Sequence, residues 1–159
     1  MDMAKAKQKA NDLLEQFGIS DPYINPVLIA RELGVQVKFA TFSQEFSNVS
    51  GFYDVDTDTI FVNEEEYPLR QTFTVAHELG HRILHKDWAA SNQYRVLLRN
   101  DDEPKDSYEK EADEFAGNLL VPRFLLDKYK QLSKQDLSKL FAVSVPVINI
   151  RLNKEYGIS

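Results

Sequence analysis

The chain holds three histidines, and all three fall inside "FTVAHELGHRILH" as His77, His81 and His85, four residues apart, with Glu78 directly after the first. His77-Glu78-x-x-His81 is an H-E-x-x-H arrangement. On an α-helix, residues four apart are offset by only about 40° around the axis and about 6 Å along it. Two imidazoles so placed converge on one zinc ion at roughly 2.0–2.1 Å. The residue after the first histidine projects about 100° around the helix, beside the ion, where the Glu78 carboxylate can hold a water and take its proton. Zinc lowers the pKa of such a water from near 16 to about 7. His85 lies eight residues from His77, about 12 Å along the axis, too far to share the ion. It is expected at the rim of the site, packed or hydrogen-bonded. The longer pattern with a third histidine ligand needs Gly and His three and six residues after His81; Leu84 and Asp87 stand there.

With no cysteine and no further histidine, the third ligand should be a carboxylate, and "SYEKEADEF" supplies candidates. Glu109 and Asp113, four apart, share a helix face; Glu111 lies about 200° from Glu109. Glu109 is taken as the ligand. Asp113 would accept the remaining N–H of a ligand histidine and fix its tautomer. Glu111 is the alternative ligand. The expected ion is Zn²⁺, and Mn²⁺ or Fe²⁺ suit the same nitrogen and oxygen donors.

The elements that must position these residues are legible from periodicity. Residues 4–17 carry Ala6, Ala10, Leu13, Leu14 and Phe17 at helical spacing, and "PYINPVLIARELG" reads as a turn and a short helix opened by Pro26. "VQVKF" alternates as a strand, and "NVSGFYDVDTDTIFVN" reads as a hairpin with strands near 49–54 and 59–63. Pro68 introduces a helix expected to run through "LRQTFTVAHELGHRILHKDW". Residues 88–105 read as a polar loop. "SYEKEADEFAGNLLVP" is a second amphipathic helix, with Ser107 at its start and Pro122 after its end. The tail gives two or three short helices. "LSKLFAVSVPVINIRL" has a helix-turn-helix rhythm, with Leu137, Leu140, Phe141, Val143, Val147, Ile148 and Leu152 apolar. The expected class is α+β: a mainly helical domain, a small three-stranded antiparallel-type sheet beside the zinc-binding helix, and a helix-turn-helix-like tail.

Composition bounds the function. At 159 residues, with 43% hydrophobic content, the chain suits one core. A net charge of −6 argues against broad phosphate-backbone binding. Asn149, Arg151, Asn153 and Lys154 are the residues of the tail that would serve DNA contact, with packing or partner docking the favoured role. The absence of cysteine suits a reducing compartment. The charged N-terminus has no apolar signal core, and no run approaches the roughly 20 apolar residues of a membrane helix. A cytoplasmic protein with no membrane role is expected.

Three segments, "SGFYDVDTDTIFVN", "RQTFTVAHELGHRILH" and "EKEADEFAGNLLVP", together resemble the ImmA/IrrE family of zinc metallopeptidases over roughly residues 25–126. The resemblance implies His77 and His81 as metal ligands, Glu78 as general base and Glu109 as third ligand. It implies a zincin-like metallopeptidase domain over residues 1–126, with residues 127–159 a helical subdomain packed on it. The hairpin around Gly51-Phe52-Tyr53 would align a substrate backbone by strand addition. Tyr53, Tyr94 and Tyr108 are candidate donors to the developing oxyanion. The resemblance also implies a partner: a co-encoded helix-turn-helix repressor or antitoxin, cleaved in a stress-response or toxin–antitoxin setting. The alternative is a non-proteolytic, partner-binding half of such a pair.

Overall fold

The computed structural model describes residues 1–91, 94 and 106–159. Helix α1 (Met3–Gln16) starts at Asp2, whose carboxylate accepts the Lys5 N–H at 2.9 Å, and it buries Ala6, Ala10, Leu13 and Leu14. Asn25 caps α2 (Pro26–Glu32), with Pro26 in the first turn, where its missing N–H costs nothing. Strand β1 (Gln36–Ala40), a 3₁₀ turn (Gln44–Phe46), β2 (Gly51–Asp54) and β3 (Thr59–Asn63) follow. Then come α3 (Pro68–Leu84), α4 (Lys86–Ala89), α5 (Ser107–Leu120), α6 (Arg123–Tyr129), α7 (Lys134–Phe141) and α8 (Val145–Tyr156). The α+β class and the helix-turn-helix-like tail (α7–α8) are as expected.

The sheet differs from expectation in one respect: it is mixed. Its order is β1-β3-β2, with β2 antiparallel to β3 and β1 parallel to it. The chain leaves β1, crosses through residues 41–50 and enters the hairpin by its outer arm. The returning arm, β3, therefore pairs with β1 and runs in its direction. A parallel neighbour needs such a long crossover, which strand-by-strand alternation does not reveal.

The helix carrying the histidines is also shorter than expected. α3 ends at Leu84, because His85 leaves the helical region (φ −133°, ψ 33°) before α4 restarts. Trp88 and Ala89 lie in α4, not in the expected loop. Of that loop, residues 92–93 and 95–105 lie outside the described residues.

Helices α3 and α5 pack face to face. α3 buries Val75, Ala76 and Leu79, and α5 buries Ala112, Phe115, Ala116 and Leu119; each large apolar side chain contributes about 1.5–3 kcal/mol. Gly80 permits the approach: a Cβ there would stand 2.9 Å from Phe115 Cδ1 and 3.2 Å from its Cγ. On the other flank, Gly51 lets β2 press on α3, since a Cβ would lie 2.5 Å from Thr74 Cγ2 and 2.6 Å from the Phe61 carbonyl oxygen. These two contacts place the histidine helix between a sheet edge and the acidic helix. The tail closes the other side of α5. Arg151 is buried over Gly117, and its Nε donates to the Val121 carbonyl at 2.9 Å.

Candidate metal centre

The α3–α5 contact brings the expected donors together. Atoms of His77, Glu78 and His81 lie within 4.8 Å of one another. Across from them, the Glu109 carboxylate spans both imidazoles: Oε2 is 2.9 Å from His77 Nε2, and Oε1 is 2.9 Å from His81 Nε2. Glu109 is held one turn into α5, and the N-cap Asp106 accepts its N–H at 3.0 Å. Donors around a tetrahedral ion sit about 3.3 Å apart, so opening this cluster by a few tenths of an ångström would admit a cation. Two imidazoles and one carboxylate are the donor set of catalytic zinc sites and also suit Fe²⁺ or Mn²⁺. The residues therefore fit a divalent ion.

Each histidine uses its other nitrogen differently. His77 Nδ1 lies 2.8 Å from Asp113 Oδ1, the pairing expected of Asp113. His81 Nδ1 lies 3.0 Å from His85 Nδ1, and His85 Nε2 lies 2.7 Å from Glu111 Oε1. Glu111, the alternative ligand, is thus turned away from the Nε2 side and onto His85. It also accepts the backbone N–H of Asp2. His85 is buried, packed edge-on to Tyr108 and Trp88. His85 stands four residues from His81, the spacing that puts two residues on one helix face; its contact with Glu111 had no such signal.

The electrostatics follow from these contacts. Burial opposes the charge on His77, but the hydrogen bonds to Asp113 and Glu109 and the Glu78 charge outweigh it and push its pKa up to about 10. Burial dominates at His81, which is pushed down to about 4. Glu78, 5% exposed, is raised by burial to about 7. Burial also works to raise Glu109, yet its hydrogen bonds to both histidines hold it well below the usual carboxylate range.

Of the three tyrosines, Tyr94 alone reaches the centre. Its hydroxyl donates to Glu78 Oε1 at 2.8 Å and accepts the Tyr53 N–H at 2.6 Å. The Tyr53 hydroxyl donates to Asp58 instead, and Tyr108 stacks on Trp88 at 4.6 Å. The Ser50 carbonyl accepts the Asn63 N–H at 2.8 Å. By alternation, Gly51 and Tyr53 direct their main-chain groups away from β3. Gly51 borders a cleft of about 900 Å³ that contains His77, Glu78, Glu109 and Asp113. Phe73 forms part of its apolar lining, and the tail contributes Pro146 and Val147. That wall went unanticipated, because no local signal ties residues 146–147 to residues 77–113. Of the tail's candidate DNA contacts, Arg151 is buried and Lys154 pairs with Glu114 at 3.1 Å. Among the described residues, no helix is long and apolar enough to cross a membrane.

The chain is similar to known proteins. The family model for the IrrE N-terminal-like domain, peptidase M78, matches residues 30–153. The chain is 26% identical over 152 residues to uncharacterized immunity region protein 2 of Bacillus phage phi105, covering 91% of this chain and 87% of that one. It is 31% identical over 109 residues to metallopeptidase ImmA of Bacillus subtilis (strain 168), covering 64% of this chain and 60% of that one. Among solved structures, a Mycobacterium tuberculosis transcriptional regulator matches with a TM-score of 0.67 over 94% of this chain at 20% identity, a likeness of fold. This chain spans 46% of that regulator's length.

Proposed function

This chain belongs to the IrrE N-terminal-like family of M78 peptidases, and from that premise we propose that it is a zinc-dependent endopeptidase. Its substrate is a regulatory protein, of the helix-turn-helix repressor or antitoxin kind, and it acts in the cytoplasm. The observation that carries this reading is the Glu109 carboxylate lying 2.9 Å from both Nε2 atoms, with buried Glu78 beside them and a cleft in front.

His77, His81 and Glu109 would hold the ion, and Asp113 would orient His77. A bound divalent cation supplies Lewis acidity toward the scissile carbonyl and acidifies water. Glu78 handles the proton. Tyr94 holds its Oε1, while Oε2 lies on the His77 side, 3.9 Å from Nε2. Oε2 takes the proton of the attacking water and passes it to the leaving amine. In the metal-free chain burial raises this carboxyl to about 7, and a cation beside it would favour the carboxylate that accepts the proton. The substrate lies extended along β2, bonding to Gly51 main-chain groups. In this reading residues 127–159 are a subdomain that walls the cleft through Pro146 and Val147, not a DNA reader.

The test is incubation with the helix-turn-helix regulator encoded beside the gene, with and without a chelator, followed by mass spectrometry of the products. Discrete fragments that vanish with chelator are expected. An intact regulator held in a chelator-insensitive complex would overturn the peptidase reading in favour of sequestration.

A further inference from the structure

We propose that His85 and Glu111 are positioning residues of the metal centre: a hydrogen-bond relay that holds His81 in the one tautomer able to offer Nε2 to a cation. The proposal rests on His77, His81 and Glu109 holding that cation.

The direction of the relay follows from donor and acceptor rules. A carboxylate only accepts. Glu111 Oε1 is 2.7 Å from His85 Nε2, so that nitrogen carries the hydrogen and donates. A neutral imidazole with its hydrogen on Nε2 has a bare Nδ1. His85 Nδ1 is therefore an acceptor, and it faces His81 Nδ1 at 3.0 Å. Two ring nitrogens at that distance share one hydrogen, so His81 Nδ1–H donates. With a cation in place of the hydrogen that otherwise lies between His81 Nε2 and Glu109 Oε1, the lone pair of His81 would be on Nε2 and its hydrogen on Nδ1. The opposite direction would keep the hydrogen of His81 on Nε2, where no cation could be held. The Asp2 backbone N–H, bonded to the second oxygen of Glu111, anchors the far end.

His81 cannot obtain this orientation from water, because it is fully buried. Nor, among the described residues, does a carboxylate touch its Nδ1, as Asp113 touches that of His77. His85 extends the reach of Glu111 by one imidazole. Its ring is held in place by Tyr108, edge-on at 5.1 Å between centroids, and by Trp88 at 6.1 Å.

Zinc affinity of the purified chain, measured by competition with a chromophoric chelator, tests the relay without reference to cleavage. His85→Phe is expected to weaken zinc binding by about 10–100-fold, the usual cost of losing a partner behind a ligand. His85→Gln keeps an acceptor for His81 and a donor for Glu111, and should stay within roughly fivefold of wild type. Thermal unfolding of the metal-free variants reports folding separately. Wild-type affinity in His85→Phe overturns the relay. So do equal losses in His85→Phe and His85→Gln when both metal-free chains unfold at the wild-type temperature, since packing alone would then explain them. If His85→Phe does not fold, Glu111→Leu decides: weakened zinc binding supports the relay and unchanged binding overturns it. A wild-type chain that takes up no zinc sinks the metal-centre reading itself. Normal wild-type uptake with an indifferent His85→Phe sinks the relay alone.

Discussion

His77 and His81 sit one turn apart on the same helix, face the same carboxylate at the same distance, and live in opposite surroundings. His77 borders the cleft with 12% of its side chain exposed, among Glu78, Glu109 and Asp113. His81 is sealed, in ring contact with His85, Trp88 and Tyr94. One imidazole is pushed up to about 10 and the other down to about 4. H-E-x-x-H thus supplies two chemically equal groups, and the tertiary structure makes them unequal. The cleft side concentrates negative charge where a proton must move, whereas the buried side trades charge for fixed geometry.

The largest effect should separate proton handling from ion holding within the cleft side. Glu78→Gln keeps size and the Tyr94 hydrogen bond but cannot accept a proton. Cleavage is expected to fall by about 10²–10⁴-fold, with the zinc content from elemental analysis unchanged. Turnover equal to wild type would remove Glu78 from the mechanism and strip the cleft side of its special role.

The pH dependence of the metal-free chain should expose the inequality directly. The folded-state pKa of His77 is raised from 6.5 to about 10. Its contribution to stability is therefore fully present below about pH 6.5 and lost as pH rises toward 10. His81 is depressed to about 4, so its contribution is present above about 6.5 and lost as pH falls through 4. Glu78, raised from 4.5 to about 7, contributes below 4.5 and loses that by 7. His81 and Glu78 thus oppose each other between about 4.5 and 6.5. Above 7, His77 is left to set the slope for the site. The melting temperature of the metal-free chain should fall between pH 7 and 10, and the zinc-loaded chain should fall less, since the ion replaces the His77 proton. Equal slopes would mean that the two histidines are not distinguished as described.

Gly80 lies between the two sides and sets their common distance from α5. In Gly80→Ala, helix propensity returns about 1 kcal/mol, while overpacking costs typically about 1–3 kcal/mol. The close contacts are to the base of the Phe115 ring, Cδ1, Cγ and Cβ, which cannot swing aside without moving a helix. Overpacking should win, lowering the melting temperature by roughly 2–4 °C per kcal/mol of net loss and weakening zinc on both sides together. A stabilised variant with unchanged affinity would show that the α3–α5 spacing is not set there.

The parts of this arrangement that were legible in the sequence are those written within one helix. The four-residue spacing of His77 and His81, and of Glu109 and Asp113, needs only the helical repeat to predict which groups share a face. The apolar positions of α1, α3 and α5 likewise announced the core. What escaped depends on distant parts of the chain meeting. The parallel pairing of β1 with β3 is fixed by a crossover, and the Pro146–Val147 wall by packing of the tail. The end of α3 at Leu84 is a boundary that periodicity through "HRILHKDW" carried too far. Glu111 stood as the alternative ligand although helix geometry places it away from Glu109. It gave no hint that another histidine would be waiting on that side.

The smallest effect is the sharpest test of why the two sides differ. Asp113→Asn keeps an amide oxygen that can accept from His77 Nδ1, and removes only the negative charge. Because Asp113 sits on the wetter side, with 29% of its side chain exposed, solvent screens much of that charge. Zinc affinity should therefore fall by only about fivefold to tenfold, at the low end for a group behind a ligand. The alkaline fall in metal-free stability should also flatten, since the Asp113 hydrogen bond is the largest of the influences raising His77. His85→Phe, by contrast, deletes the acceptor in a dry setting where water cannot substitute, and should cost more. If Asp113→Asn proved the costlier of the two, charge and not burial would govern how these histidines hold an ion.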